Sequence, residues 1–306
     1  MRHFCVVALL CIAIFYSPSA NAQYYYYNGR YYDADVSFEA GASVGVMNSL
    51  TDIGGKKGIG KNFIKDLNWK NANLSYGLYV TATYRYALAL RLEATFGSVE
   101  AADTQLRKVA PSTKGRYDRN LSFKSKISDF QLALEVHPLF FRQYDQDESP
   151  RFSPYALGGI GVFIFDPTAE LNGRRYALQP LRTEGQGFRE HRDRTPYSLT
   201  QINFPVGVGV RYEVNSWLNA RLEVVHRILM TDYLDDVSTT YTNPALFANY
   251  LPANQAAIAM QLADRQGELN PAHKTKPGSQ RGDPADNDAY FTVQLKLGVN
   301  LGRLRR

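Results

Sequence analysis

From Val36 to Val46 the chain alternates without a break. Val36, Phe38, Ala40, Ala42, Val44 and Val46 are apolar, and Ser37, Glu39, Gly41, Ser43 and Gly45 are small or polar. Successive side chains of a strand point to opposite faces, so the segment predicts a strand with one face in oil and the other in water. About 9 to 11 tilted residues cross the hydrocarbon of a bilayer, and this stretch is long enough. The period returns often enough to predict eight strands, at 35–46, 74–85, 88–98, 123–137, 154–165, 201–214, 217–229 and 290–302. Phe130, Leu132, Leu134 and Val136 stand opposite Asp129, Gln131, Ala133 and Glu135, and Phe291, Val293, Leu295, Leu297, Val299 and Leu301 form one apolar row. The 154–165 segment is apolar and Gly-rich on both faces, so the pattern does not orient it.

The connections support closure into a barrel. Tyr86-Ala87 and Asn215-Ser216 join strands tightly, whereas 47–73, 99–122, 166–200 and 230–289 are long. Short periplasmic turns and long outer loops are the asymmetry of an even-stranded outer-membrane barrel. The expected fold is therefore all-β: an eight-stranded antiparallel transmembrane β-barrel, residues 35–303, with long extracellular loops. One connection, Pro138 to Ser153, is long for a periplasmic turn.

Residues 1–22 read as a secretory signal peptide: a basic start at Arg2 and His3, an apolar run from Phe4 to Tyr16 too short to span as a helix, and small residues at Ala20 and Ala22. Both cysteines, Cys5 and Cys11, fall inside it, and Leu10 before Cys11 does not suit lipidation. A mature chain beginning at Gln23 would have no thiol and no disulfide. It would carry 34 Lys+Arg (35 less Arg2) against 29 acids, a mild excess without the clustered basic surface that nucleic acid requires. A mean hydropathy of −0.34 and no second long apolar run exclude a helical membrane protein. Residues 23–34 form a Tyr-rich lead-in expected in the periplasm.

Alternation alone does not say which face is the lumen, because a soluble lipocalin-like barrel points its apolar rows inward. The polar rows hold Glu39, Glu93, Asp129, Glu135, Glu213 and Glu223 together with Arg85, Arg91, Arg211, Arg221, Arg227 and Lys296. Balanced charge suits an enclosed network, since an unpaired buried charge is costly. The glycines on the same rows suit a narrow lumen, and eight strands enclose a space that side chains fill. The expectation is a filled membrane barrel and not an open pore.

Two stretches carry a resemblance. Ser153 to Pro167, with Pro154, Tyr155, Gly158, Gly159, Gly161, Asp166 and Pro167, and Thr231 to Tyr241, with Asp232, Tyr233, Asp235, Asp236 and Tyr241, are similar to segments of a Bacteroidetes outer-membrane barrel family. That family includes PorG-like components of type IX secretion and gliding machinery. The resemblance implies a non-enzymatic envelope anchor with secretion-system proteins as partners in the periplasm or outer membrane. The 242–288 insertion and the tyrosines at 24–27 and 31–32 depart from it. A free-standing surface barrel for envelope integrity or adhesion, in contact with lipid and lipopolysaccharide, is the alternative.

Sharper chemical readings are weaker. Gly55 to Lys61 matches a phosphate loop until Asn62 stands where Ser or Thr would hold magnesium, so a basic surface loop is expected. Arg281-Gly282-Asp283 reads as a chance tripeptide in a polar loop. Asp232, Asp235 and Asp236 could attract calcium, but their spacing matches no known calcium loop, and no metal or cofactor is expected. His226 is expected to face lipid without a serine along its strand, His137 lies at the periplasmic end, and His191 and His273 lie in loops, so an outer-leaflet lipid-modifying enzyme is the least favoured reading. Ala253 to Leu262 predicts a short helix resting on the barrel mouth or docking a partner. Asn270 to Asp288 reads as flexible.

Overall fold

The computed structural model describes residues 25–27, 31–54, 71–113, 115–141, 150–272, 275–301 and 304–305. The expected signal peptide at 1–22, the Gly-Lys stretch at 55–61 and His273 lie outside the described residues. Among the described residues twelve strands run in chain order: β1 (Tyr25–Tyr27), β2 (Tyr31–Ala34), β3 (Val36–Leu50), β4 (Asn73–Tyr84), β5 (Leu88–Ala102), β6 (Ser122–Val136), β7 (Phe152–Leu171), β8 (Arg174–Ala177), β9 (Thr200–Glu213), β10 (Leu218–Leu229), β11 (Ala289–Leu301) and β12 (Leu304–Arg305). β1, β2 and β12 form a small separate sheet, so the Tyr-rich lead-in contains a hairpin that the C-terminal residues join.

The other pairings run β6-β5-β4-β3-β11-β10-β9-β7, and β7 closes back on β6; β8 is a short hairpin arm on β7. The result is the closed eight-stranded antiparallel barrel expected from the alternation. Followed once around the wall, Phe38 pairs with Ala82, then Leu90, Leu134, Gly158, Val206, His226, Phe291 and finally Asn48, ten residues further along β3. A stagger of ten residues over eight strands implies a tilt of about 40° and a backbone radius of about 8 Å. No described helix is long and apolar enough to cross a membrane.

Burial decides between membrane and soluble barrel. Leu78, Val80, Leu90, Leu92, Leu132, Leu134, Val206, Val208, Leu222, Leu295 and Leu297 are exposed on the outer face, and Arg91, Arg221 and Lys296 have almost no exposed surface. A belt of large apolar side chains around a charged interior is stable only with lipid outside. The belt runs from Tyr84 and Leu88 to Leu74 and Phe96, a height of about 25 Å at this tilt. β7 follows the same phase: Pro154, Ala156, Gly158, Ile160, Val162 and Ile164 face out, while Tyr155, Leu157, Phe163 and Phe165 face in. The sequence pattern hid this because Gly and apolar residues occupy both rows.

Beyond the belt both faces exchange character. Outward positions become Glu100, Lys124, Lys126, Asp166 and Glu170, and inward positions become Met47, Val99, Phe123, Ile127, Phe163, Phe165 and Ala169. These inward residues share one apolar core with the outer connections, including Leu178, Leu181, Phe188, Leu234, Val237 and Phe247. The expected helix is present as Ala253–Ala263 and buries Ala256, Ala259 and Leu262 there. The described parts of the long connections thus fold together as a cap over the extracellular mouth. The expectation of flexibility for 270–288 is corrected at 278–282: Arg281 is 3% exposed, Gln280 bridges Thr240, and Tyr241 and Thr239 bond to the backbone there, so buried polar contacts order a segment whose composition is polar.

The belt generates a measurable expectation. Leu222→Arg, on the lipid face in mid-wall, should destabilise the barrel by about 2 to 4 kcal/mol, and Asp166→Arg, beyond the belt, by about 0 to 1 kcal/mol. Urea titration of refolding into lipid vesicles checks both, and equal costs would displace the membrane from this belt.

Candidate functional site

Two polar assemblies occupy the interior, one in the lumen and one in the cap. In the lumen, β5 supplies Arg91 and Glu93, β6 supplies Glu135, β10 supplies Arg221 and Glu223, β11 supplies Lys296 and β3 supplies Glu39. Arg91 reaches Glu223 at 2.7 Å, Glu135 at 3.0 Å and Glu93 at 3.2 Å. Lys296 Nζ reaches Glu93 at 2.6 Å and Glu223 at 2.8 Å, and Arg221 reaches Glu39 at 2.9 Å and Glu135 at 2.8 Å. Seven charged groups from five strands are thereby tied into one network.

Neutral side chains complete it. The Tyr79 hydroxyl donates to Glu39 at 2.6 Å and that of Tyr155 to Glu223 at 2.7 Å, while Asn219 donates to Glu39 and Gln131 to Glu93. The glycines explain how two tyrosine rings fit in so narrow a tube. A Cβ on Gly41 or Gly298 would lie within 2.7 Å of Tyr79, and one on Gly209 within 2.6 Å of the Tyr155 hydroxyl. Nearer the extracellular end Arg227 bonds Asp129 at 2.5 Å, Asn203 donates to the other Asp129 oxygen at 2.8 Å, and Arg227 also donates to Thr292. At the periplasmic end the Arg211 guanidinium lies over the rings of Tyr86 and Phe140.

Eleven of the twelve predicted charges lie on inward rows, six acids and five bases. Arg85 is a correction: the tight turn after β4 places it at φ +46°, off the inward row, where its half-exposed side chain bonds Asp35 at 3.2 Å. Glu213 keeps the inward phase at the periplasmic end of β9, opposite Asn219, where it is half-buried and its backbone N–H donates to the Arg151 carbonyl.

His137 sits between Ser153 Oγ (3.0 Å from Nδ1) and Glu135 Oε2 (3.2 Å from Nε2), the connectivity of a Ser-His-carboxylate relay. Ser153 is 1% exposed and His137 fully buried, and Glu135 is already held by Arg91 and Arg221. A nucleophile must meet its substrate, so the trio acts as a packing and hydrogen-bonding unit. His226 lies on the outer row of β10, between Val206 and Phe291.

In the cap, the residues of the second family-like stretch part company. Asp236 accepts from Thr183 Oγ1 at 2.5 Å and Tyr197 at 2.6 Å, whereas Asp235 accepts from the backbone N–H of Ile53 and Val237. Burial, opposed by Arg281, pushes the Asp236 carboxyl up to about 6. Among the described residues no group of three or more His, Asp or Glu is placed to hold a metal ion. Tyr233 stacks on Tyr197, and Tyr241 is buried. In the first stretch Pro154, Gly158 and Asp166 face outward while Tyr155, Gly161 and Pro167 face inward.

The residues that clamp the cap were not singled out from sequence. Glu184 accepts from the backbone N–H groups of Ser238 and Thr239, from the Thr239 hydroxyl, and from Arg281 at 2.9 Å. Arg281 also donates to the carbonyls of Ala263 and Asp236, and Arg194 to those of Glu184 and Thr240. Arg119 binds Asp103 through two nitrogens and the carbonyls of Arg281 and Asp52. With its guanidinium buried, Arg281 cannot serve as part of an exposed adhesion tripeptide. Only the spacing of isolated charges within apolar-poor loops marks these residues, and that signal has no period.

Removing one partner of the lumen network should be costly. Lys296→Met keeps the volume but leaves Glu93 and Glu223 facing each other without their cation, and should destabilise the barrel by about 3 to 5 kcal/mol. Adding Glu93→Gln should recover part of that loss. Urea midpoints of the single and double variants check it, and a neutral single variant would dissolve the network as a stabilising unit.

No protein-family model and no curated protein matches the chain. Among solved structures, it is similar to Neisserial surface protein A (10% identity, TM-score 0.34, covering 87% of this chain and 97% of that one). It is also similar to Ail, the attachment invasion locus protein of Yersinia pestis (8%, TM-score 0.33, 87% and 97%), and to the outer membrane protein OprG from Pseudomonas aeruginosa (11%, TM-score 0.34, 87% and 95%). Identities this low say nothing about partner or activity. On its own geometry of an even, closed antiparallel wall, an outer apolar belt and a charged lumen, the chain is a β-barrel of the bacterial outer membrane.

Proposed function

We propose that this protein is a non-enzymatic outer-membrane anchor, in which the barrel holds a folded extracellular cap and a small periplasmic sheet in fixed relation across the membrane. The observation that carries this reading is the occupied interior: Arg91, Arg221, Lys296 and their carboxylates cross the lumen, and the apolar core of the cap lies above them. A tube filled at two levels does not conduct, and its buried Ser153 does not meet substrate, so its working surfaces are its two ends. In planar bilayers the purified protein should give no stepwise conductance.

The finer form of the proposal is an accessory role in a type IX secretion or gliding system. It rests on the family-like stretches at Pro154 to Pro167 and Asp232 to Tyr241, and on the periplasmic connection that begins with the short 3-10 helix Pro138–Phe141, whose Phe141 is 63% exposed. The second reading, a free-standing surface barrel bearing on lipid or lipopolysaccharide, is favoured by Lys124 and Lys126, which face outward just beyond the apolar belt at headgroup level.

Crosslinking in the native membrane, followed by identification of captured proteins, separates the two. The anchor reading expects periplasmic secretion-system proteins, and their recovery should drop when the 138–153 turn is shortened. Unchanged recovery would remove the turn's role, and intact type IX secretion in a deletion strain would favour the free-standing barrel.

A further inference from the structure

The rim above β10, β11 and β3 holds more acid than its cations neutralise. These strands are neighbours in the wall, and each meets the cap through an aspartate: Asp232 follows β10, Asp288 directly precedes β11 and Asp52 follows β3. Asp235 comes in from the loop after β10. The four carboxylates join chain segments far apart in sequence. Asp235 accepts from Ile53 N at 2.9 Å and Val237 N at 2.9 Å, Asp288 from Leu234 N at 2.8 Å, and Asp52 from Asp283 N at 2.7 Å. Asp235 and Asp288 are buried, and Asp232 is 9% exposed with neither oxygen in a well-formed hydrogen bond, the Ser238 hydroxyl exerting the largest pull toward its charged form.

The surrounding charges do not redress the balance. From the second loop Arg119 faces Asp52 and Asp235 but already holds Asp103, and Arg116 faces Asp52. From the third, Glu184 adds a further negative charge toward Asp232. From the fourth, Arg281 is bound to Glu184, and Asp283 faces Asp52 as another acid. Asp232, Asp235 and Asp288 are buried and Asp52 is partly buried, with Arg119 committed to Asp103 and Arg116 facing Asp52, so the four cannot all be ionised: an uncompensated buried charge gives up its hydration for nothing.

We propose that protons retained on these buried carboxyls keep the seam closed, so that the extracellular cap is a pH-responsive lid, seated on the rim in acid and loosened as the pH rises through neutrality into alkali. Burial, with the neighbouring carboxylates, pushes Asp232 up to about 9, Asp235 to about 8 and Asp52 to about 6, and holds Asp288 well above the usual range. The seated cap therefore binds more protons than the released one. Its stabilisation is complete below about pH 4, declines as pH rises, and is lost through the window from about 6 to 9.

The amides of Ile53, Leu234 and Val237 donate into the seam and report on it. In the full-length protein in lipid nanodiscs, hydrogen-exchange protection at these positions, corrected for the intrinsic rate, should fall between pH 6 and 9.5 by about tenfold per pH unit for each linked proton. Amides in mid-wall, such as that of Leu134, should not change. Asp232→Asn, which mimics the protonated acid, should flatten the profile, and Asp235→Asn should do so independently. A pH-independent wild type, or an unchanged slope in both variants, would overturn the proposal. So would protection at pH 7 that disappears with EDTA and returns with calcium, since a divalent cation would then hold the seam.

Discussion

Within a bilayer the backbone has no water to bond to, so every N–H and C=O of the wall must find a partner in the protein, and a sheet achieves that only by closing on itself. Here closure is the β6–β7 pairing. With eight strands and a stagger of ten residues it fixes a tube of about 8 Å backbone radius, and the rest of the interior follows from that dimension. A lumen so narrow holds side chains and no column of water. Inward positions must therefore alternate between bulk and space, which is why Tyr79 lies against Gly41 and Gly298, and Tyr155 against Gly209.

The polarity of the lumen answers a different requirement. A one-residue slip in register turns every side chain to the opposite face, and an apolar lumen would leave little to tell inside from outside when lipid accepts either row. Arg91, Glu93, Arg221, Glu223 and Lys296 make the wrong register prohibitive, since it would place charge in hydrocarbon. Ion pairs buried this deeply need not add stability over a well-packed apolar core. Their contribution here is to the choice of face, and the near-complete set of partners around Glu93 and Glu223 is what makes that choice tolerable.

The strands, their order of connection and the inward row of charges were legible because period-2 alternation is local and repeats along each span. Arg85 was misplaced because left-handed turn residues shift a side chain off a row that one-dimensional alternation continues through. β7 could not be oriented because Gly159 and Gly161 occupy inward sites that the close approach of β6 and Asn203 keeps free of Cβ atoms, and glycine carries no polarity. The cap was the least legible part. Glu184 and Arg281, 97 residues apart, meet through loops with no period, and Asn270 to Asp288 looks disordered by composition because the order at 278–282 comes from polar bonds and not from apolar burial.

The reversal of the two faces beyond the belt locates the membrane surface within single strands. Along β6 the outward row runs Leu134, Leu132, Phe130, Ser128, Lys126 and Lys124, and the inward row runs Glu135, Ala133, Gln131, Asp129, Ile127, Ser125 and Phe123. Neither row changes direction; what changes is the medium outside. Below the crossing lipid is outside and the charges must be within, and above it water is outside and the hydrophobic effect again drives apolar side chains inward. The same strand thus builds a membrane barrel in one half and the base of a water-soluble domain in the other, joined by continuous backbone hydrogen bonds. The seam of Asp52, Asp232, Asp235 and Asp288 lies on that upper part, where the wall no longer needs charge inside it to choose a register, so its acids are free to answer to the solution above.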